Sequence, residues 1–140
     1  MRKSRVIILF LAIVVAGCKA KQSELTLLSP DSQNRVELLL SQTGELSYLV
    51  YHNDKTIIDT SSLAFELKDQ KPLISGFEVV KSSHSSFSET WELPWGEQRE
   101  VVNNYNEMVV ELKESTTPKR RLNIYFRAYD DGVAFRYEFL

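Results

Sequence analysis

The chain has 140 residues, 17 Lys and Arg against 19 Asp and Glu, and a single cysteine. That length allows one domain and is short for most catalytic folds, and one cysteine cannot form an internal disulfide. A net charge of −2 lacks the basic face that nucleic acid demands, so nucleic acid is set aside as a partner.

The first element in chain order is one expected to lie outside the fold. Arg2, Lys3 and Arg5 precede an unbroken apolar run from Val6 to Ala16. A transmembrane helix needs about 20 apolar residues, whereas this run has the length of a signal-peptide core. It closes on Val15-Ala16-Gly17-Cys18, the lipobox pattern of an aliphatic residue, two small ones and a cysteine whose thiol takes a diacylglycerol. Residues 1–17 are therefore expected to be a cleaved lipoprotein signal, Cys18 the lipidated first mature residue, and 18–24 a polar tether. Acylation of Cys18 removes thiol chemistry. Loss of Arg2, Lys3 and Arg5 takes 17 basic residues to 14 against 19 acidic ones, a net of −5. Lys19 follows the cysteine where an Asp often retains lipoproteins on the inner membrane, which points to the outer membrane of a cell envelope.

From Leu25 the pattern is β throughout, with an all-β antiparallel sandwich expected over 25–140. A short strand at Leu25–Leu28 ends in the turn cluster Ser29-Pro30-Asp31-Ser32. Val36, Leu38 and Leu40 alternate in the next strand, Thr43-Gly44-Glu45 turns, and Leu46–Tyr51 follows. His52-Asn53-Asp54-Lys55 leads to a short strand at Thr56–Ile58, completing a meander. Leu63, Phe65 and Leu67 suggest another strand before the loop at Lys68–Pro72. Phe77–Lys81 and Phe87–Leu93 read as strands flanking an exposed serine loop around His84. The spacing of Val101, Tyr105, Val109 and Leu112 also fits a helix, but Asn103, Asn104, Asn106 and the β-rich Met108-Val109-Val110 favour two strands or one long bent strand. Leu122, Ile124, Phe126 and Ala128 alternate, Asp130-Asp131-Gly132 signals a hairpin with Gly132 at positive φ, and Val133, Phe135, Tyr137 and Phe139 alternate after it. About nine strands at short spacing imply the sandwich.

Several motifs go beyond a generic β pattern. Glu89-Thr90-Trp91, Pro94-Trp95-Gly96-Glu97, Asn104-Tyr105-Asn106-Glu107 and Phe126 through Tyr137 occur in order, after an opening Leu28-Ser29-Pro30-Asp31. This series resembles the N-terminal domain of glycoside hydrolase family 97, the exported α-glucosidases and α-galactosidases of Bacteroidetes. The resemblance implies part of a β-super-sandwich of galactose-mutarotase-like type, which in that family precedes a (β/α)₈ catalytic barrel and a small C-terminal β domain. It also implies that the acid, the base or nucleophile, and most ligands of a catalytic calcium lie on the barrel, with one further calcium-binding glutamate expected downstream of Leu140. No cofactor is thus expected in this chain, calcium being a property of the whole enzyme, and the 25–140 domain is expected to be incomplete.

The candidate residues divide between two readings. Trp91 and Trp95 are candidates for a sugar platform or, more simply, for packing against the sandwich edge or a neighbouring domain. Glu97 and Asn104 join them as candidates for carbohydrate or inter-domain contact. Asn103, Asn104 and Asn106 are also suited to satisfying backbone groups in turns and bulges. Glu89, Glu92, Glu97 and Glu100 are dense enough to suggest paired glycosidase carboxylates, yet read more simply as solvent-facing. Arg127 and Arg136 are expected opposite each other, salt-bridged to Asp130, Asp131 or Glu138. His52 and His84 lack the spacing of a metal site, and Ser82–Ser86 lacks a nucleophile elbow. No residue of this chain is assigned as catalytic. The expected role is a carbohydrate-associated sandwich bracing a catalytic barrel, with oligosaccharide and that barrel as partners and the membrane reached only through the lipid. The alternative is a stand-alone carbohydrate-binding envelope lipoprotein.

Overall fold

A computed structural model describes residues 24–97 and 99–140; the expected signal, the lipobox pattern with Cys18 and nearly all of the expected tether lie outside the described residues. Eight strands form two sheets: β1 (Thr26–Leu28), β2 (Asn34–Leu40), β3 (Leu46–His52) and β4 (Lys55–Leu63) in one, and β5 (Phe77–Glu92), β6 (Glu100–Glu114), β7 (Arg121–Tyr129) and β8 (Gly132–Phe139) in the other. Each sheet is a meander in sequence order, and every pairing is antiparallel.

Period-two alternation creates the core. Val36, Leu38, Leu46, Val50 and Leu63 point inward from the first sheet, and Met108, Val110, Leu112, Leu122, Ile124, Phe126 and Ala128 from the second. Because side chains alternate between faces, the odd-numbered residues of β6 and β7 lie on the outer face of the second sheet. The two apolar faces therefore cover each other. What stays open is the side where β4 and β8 are both edge strands, along which Ile57, Phe135 and Phe139 are exposed.

Polar clamps hold the ends of the sandwich together. At one end Asn34 donates its Nδ2 hydrogens to the carbonyls of Tyr129 and Asp130 at 2.9 and 3.0 Å. Its backbone N–H is held by Ser29 Oγ, and Asp130 accepts the Asp31 N–H at 2.9 Å. The Ser29-Pro30-Asp31 turn is thereby tied to a hairpin about a hundred residues away in sequence. At the other end the Gly44 carbonyl accepts from Phe77 N at 3.0 Å, and Thr43 O from Gly76 N at 2.9 Å. Nearby, the buried Glu114 carboxylate takes two side-chain hydrogen bonds from Arg120 at 2.7 and 2.8 Å, while Arg120 reaches the Lys71 carbonyl at 2.7 Å. The guanidinium holds the Glu114 carboxyl below the usual carboxylate range.

Several expectations from sequence need correction. Among the described residues eight strands form, where about nine are expected. Thr56–Ile58 belongs to the single strand β4, which also takes in Leu63, while Phe65 lies outside the strands in an isolated bridge to Leu73. The serine segment is no loop: Ser82–Ser86 lies in the middle of β5, because Met108, Val109 and Val110 offer continuous pairing opposite His84, Ser83 and Ser82. Gly132 does not sit at positive φ. The positive-φ hairpin is instead Asn53-Asp54 (φ 49° and 60°) between β3 and β4, the pattern of a two-residue turn that matches strand twist.

Candidate functional site

The feature that departs most from a closed sandwich is the hairpin of β5 and β6. Partner strand β7 pairs with β6 only from Asn106 to Lys113. Residues 87–92 and 100–105 therefore pair only with each other, as a two-stranded ribbon about 20 Å long at about 3.4 Å per residue. At its tip Leu93 N donates to Arg99 O at 2.8 Å, Arg99 approaches Glu92 at 3.6 Å, and Gly96 takes φ 123°. An isolated two-stranded ribbon is marginal in water; this one continues β5 and β6 out of the four-stranded sheet.

Register assigns the two faces. Cross-strand pairs share a face, and Phe87↔Tyr105, Glu89↔Asn103 and Trp91↔Val101 lie on the outer one; Ser88↔Asn104, Thr90↔Val102 and Glu92↔Glu100 lie on the inner one. On the outer face Phe87 stacks on Tyr105 (centroids 5.2 Å, 28°), and Tyr105 meets Tyr129 at 5.2 Å. Arg127 lies 4.3 Å over the Tyr105 ring and donates to Glu107 at 2.7 Å. Arg136 lies 3.6 Å over Tyr125, and Glu138 accepts from Asn123 and Tyr125, both at 2.8 Å. Those two hydrogen bonds, Asn123 first, keep the Glu138 carboxyl low. The expected Arg127–Arg136 juxtaposition is corrected: their register partners are Ala134 and Tyr125, because opposite residues in the hairpin add up to 261 rather than 263.

The residues singled out from sequence fall on different parts of the ribbon. Trp91 is 40% exposed on its outer face and Trp95 is 84% exposed at the tip, so neither plugs the sandwich edge. Glu97 is exposed beside Trp95, and Asn104 is half-buried on the inner face, away from Trp91. The four are not brought together. Asn106 does satisfy backbone, donating to Leu28 O at 2.9 Å while accepting from Ser86 Oγ at 2.6 Å, though from a strand rather than a turn. Glu89 and the Glu92–Glu100 pair lie on opposite faces, and Glu97 sits at the tip, so the ribbon carboxylates do not converge on one site. His52 bonds Asn34 Oδ1 at 2.8 Å, and His84 bonds Thr26 O at 3.1 Å. Among the described residues no group of three or more His, Cys, Asp or Glu side chains could hold a metal ion. A cleft of about 300 Å³ beside β1 is lined by Leu28, His84, Ser86 and Asn106, and a larger one of about 1080 Å³ runs between β2 and the start of β5. Sequence reading missed the Phe87–Tyr105–Tyr129 row, whose signal was an aromatic at the outward position of three successive strands.

Two facing four-stranded meanders with an aromatic ribbon define an antiparallel β-sandwich module. Residues 27–140 match the family described as glycosyl-hydrolase 97 N-terminal, and the chain belongs to it. It is 25% identical over 129 residues to a retaining α-galactosidase of Bacteroides thetaiotaomicron, covering 92% of this chain and 18% of that protein. Among solved structures it resembles a glycoside hydrolase family 97 enzyme of Pseudoalteromonas sp. strain K8, determined in complex with panose and with acarbose. That match has a TM-score of 0.76 and 33% identity over 81% of this chain and 17% of the other. A β-arabinopyranosidase shares the fold at TM-score 0.70 and 20% identity. The chain thus spans less than a fifth of the length of these relatives.

Proposed function

We propose that this chain serves as the N-terminal sandwich of an exported family 97 glycosidase, anchored in the envelope through Cys18, and that it braces a catalytic barrel carrying the acid, the base and the calcium ligands. The observation that supports this most directly is the family match over 27–140 beside coverage of only 17–18% of the relatives. The chemistry then belongs to the remaining length. The exposed tip, with Leu93, Trp95 and Val102, is suited to docking on that barrel, since apolar side chains on a marginal ribbon gain most from a dry partner surface. One relative is named an α-galactosidase and another was solved with panose and acarbose, so α-galactosides and α-glucosides are both candidate substrates. The lipobox supports envelope anchoring, and Lys19 after it supports the outer membrane.

The test is an assay with nitrophenyl α-glucoside and α-galactoside in the presence of calcium. The purified chain is expected to give no turnover, while a polypeptide that joins it to a family 97 barrel turns over one of them. Turnover by the chain alone, abolished by Glu89→Gln or Glu100→Gln, would overturn the assignment.

A further inference from the structure

We propose that the outer face of the β5–β6 ribbon is itself a binding track for a short, neutral oligosaccharide, with Phe87 and Trp91 as stacking platforms and Glu89 and Asn103 as the hydrogen-bonding pair between them. This goes beyond the bracing role, because it needs no barrel.

Register places Phe87, Glu89 and Trp91 on one face, with Asn103 opposite Glu89. Four residues at about 3.4 Å each separate the two aromatic positions by about 14 Å, a span that a trisaccharide covers. Phe87 is 41% and Trp91 40% exposed. Phe87 is also backed by Tyr105, on whose ring it stacks and which is itself only 8% exposed and held under Arg127. That support keeps one platform rigid before any ligand arrives, which lowers the entropy cost of binding. Among the described residues, no hydrogen bond or ion pair occupies the Glu89 or Asn103 side chain, whereas Glu107 and Arg127, further along the same outer face, are engaged with each other. A carboxylate and an amide with free lone pairs and free N–H groups, between two apolar rings, match vicinal hydroxyls flanked by the apolar faces of pyranose rings. The charge argues for a neutral ligand: from 87 to 105 the ribbon carries Glu89, Glu92, Glu97 and Glu100 against Arg99 alone. An anionic glycan or phosphate would be repelled by these carboxylates.

The experiment is calorimetric titration of the full chain, purified in detergent with its N-terminus intact, with maltotriose and, separately, with an α-galactotriose. Saturable binding of at least one is expected. Trp91→Ala and Phe87→Ala should each weaken it about tenfold or more, the order of an anchoring aromatic, and Asn103→Ala several-fold. Trp95→Ala, at the tip and off this face, should leave it unchanged. Circular dichroism checks that each variant remains folded; Trp91, which unlike Phe87 is not stacked on the buried Tyr105, makes its variant the decisive one. No binding of either sugar, or binding equally sensitive to Trp95→Ala, would overturn the proposal. Failure here leaves the nitrophenyl glycoside assay untouched, and failure of that assay leaves this titration readable.

Discussion

Gly44 and Gly132 carry the same side chain into opposite situations, and replacing each with alanine tests the packing described above. Gly44 has φ +74°, the left-handed region, where a Cβ costs roughly 1–2 kcal/mol. A Cβ there would also lie 2.4 Å from Phe77 N and 2.6 Å from Phe77 O. Those are backbone atoms of a strand whose first side chain, Phe77, is only 3% exposed. Relieving the clash must pull the turn off β5, which loosens the hydrogen bonds from Phe77 N to Gly44 O and from Gly76 N to Thr43 O, each contributing about 0.5–1.5 kcal/mol. The sum for Gly44→Ala is about 2–5 kcal/mol, or a melting temperature lower by about 10 °C or more for a domain of this size. Gly132 has no atom within 4 Å of a built Cβ and is not at positive φ, so Gly132→Ala should be neutral within about 0.5 kcal/mol or slightly stabilising. Thermal unfolding followed by circular dichroism reads both. A Gly44→Ala protein melting within about 2 °C of the parent, or a Gly132→Ala protein equally damaged, would refute the reasoning.

Other outcomes follow from the clamps and the lipobox. The Glu114 carboxyl is held low by Arg120, so the folded state binds fewer protons there than the unfolded state, and the pair's contribution is present at neutral pH and lost as pH falls through the folded value. Glu114→Gln should lower the urea midpoint at neutral pH and flatten its fall toward about pH 3; an acid limb as steep as the parent's would contradict this. Asn34→Ala strips the hydrogen bonds from the Tyr129 and Asp130 carbonyls and should cost about 1–3 kcal/mol, read as a lower denaturation midpoint. Cys18→Ala should release the protein from membranes in a host with the lipoprotein pathway, and continued membrane fractionation with a cleaved N-terminus would dismiss the lipobox reading.

Alternation made much of the fold legible. Val36, Leu38 and Leu40, and Leu122, Ile124, Phe126 and Ala128, repeat with period two and lie in strands, Leu40 half-buried and the others turned into the core. The ordered motifs from Glu89 to Tyr137 also carried the family, since they lie within the matched residues. Legibility failed where a residue's own preference was overruled by its neighbour in space. Ser82–Ser86 look like a loop in sequence, yet they pair residue for residue with Asn106–Val110, and backbone pairing to an apolar strand is indifferent to serine side chains. Asp130-Asp131-Gly132 does turn the chain between β7 and β8, with Tyr129 opposite Gly132, but without the positive φ expected at Gly132; the turn with two positive-φ residues is Asn53-Asp54.

The candidate site shows the same division. Sequence order alone determined that Trp91, Trp95, Glu97 and Asn104 lie close along the chain, and that strands of period two would present alternate residues to one face. It could not determine which residues share that face, because a shift of one position in register exchanges every side chain between the two sides. Tertiary structure decided it: β6 is anchored by Met108, Val110 and Leu112 in the core, which forces Asn103, Tyr105 and Glu107 outward. Pairing with β6 then places Phe87, Glu89 and Trp91 beside them while Asn104 turns to the other side. Burying the core residues of one strand set the register of the ribbon, and the register chose which side chains meet.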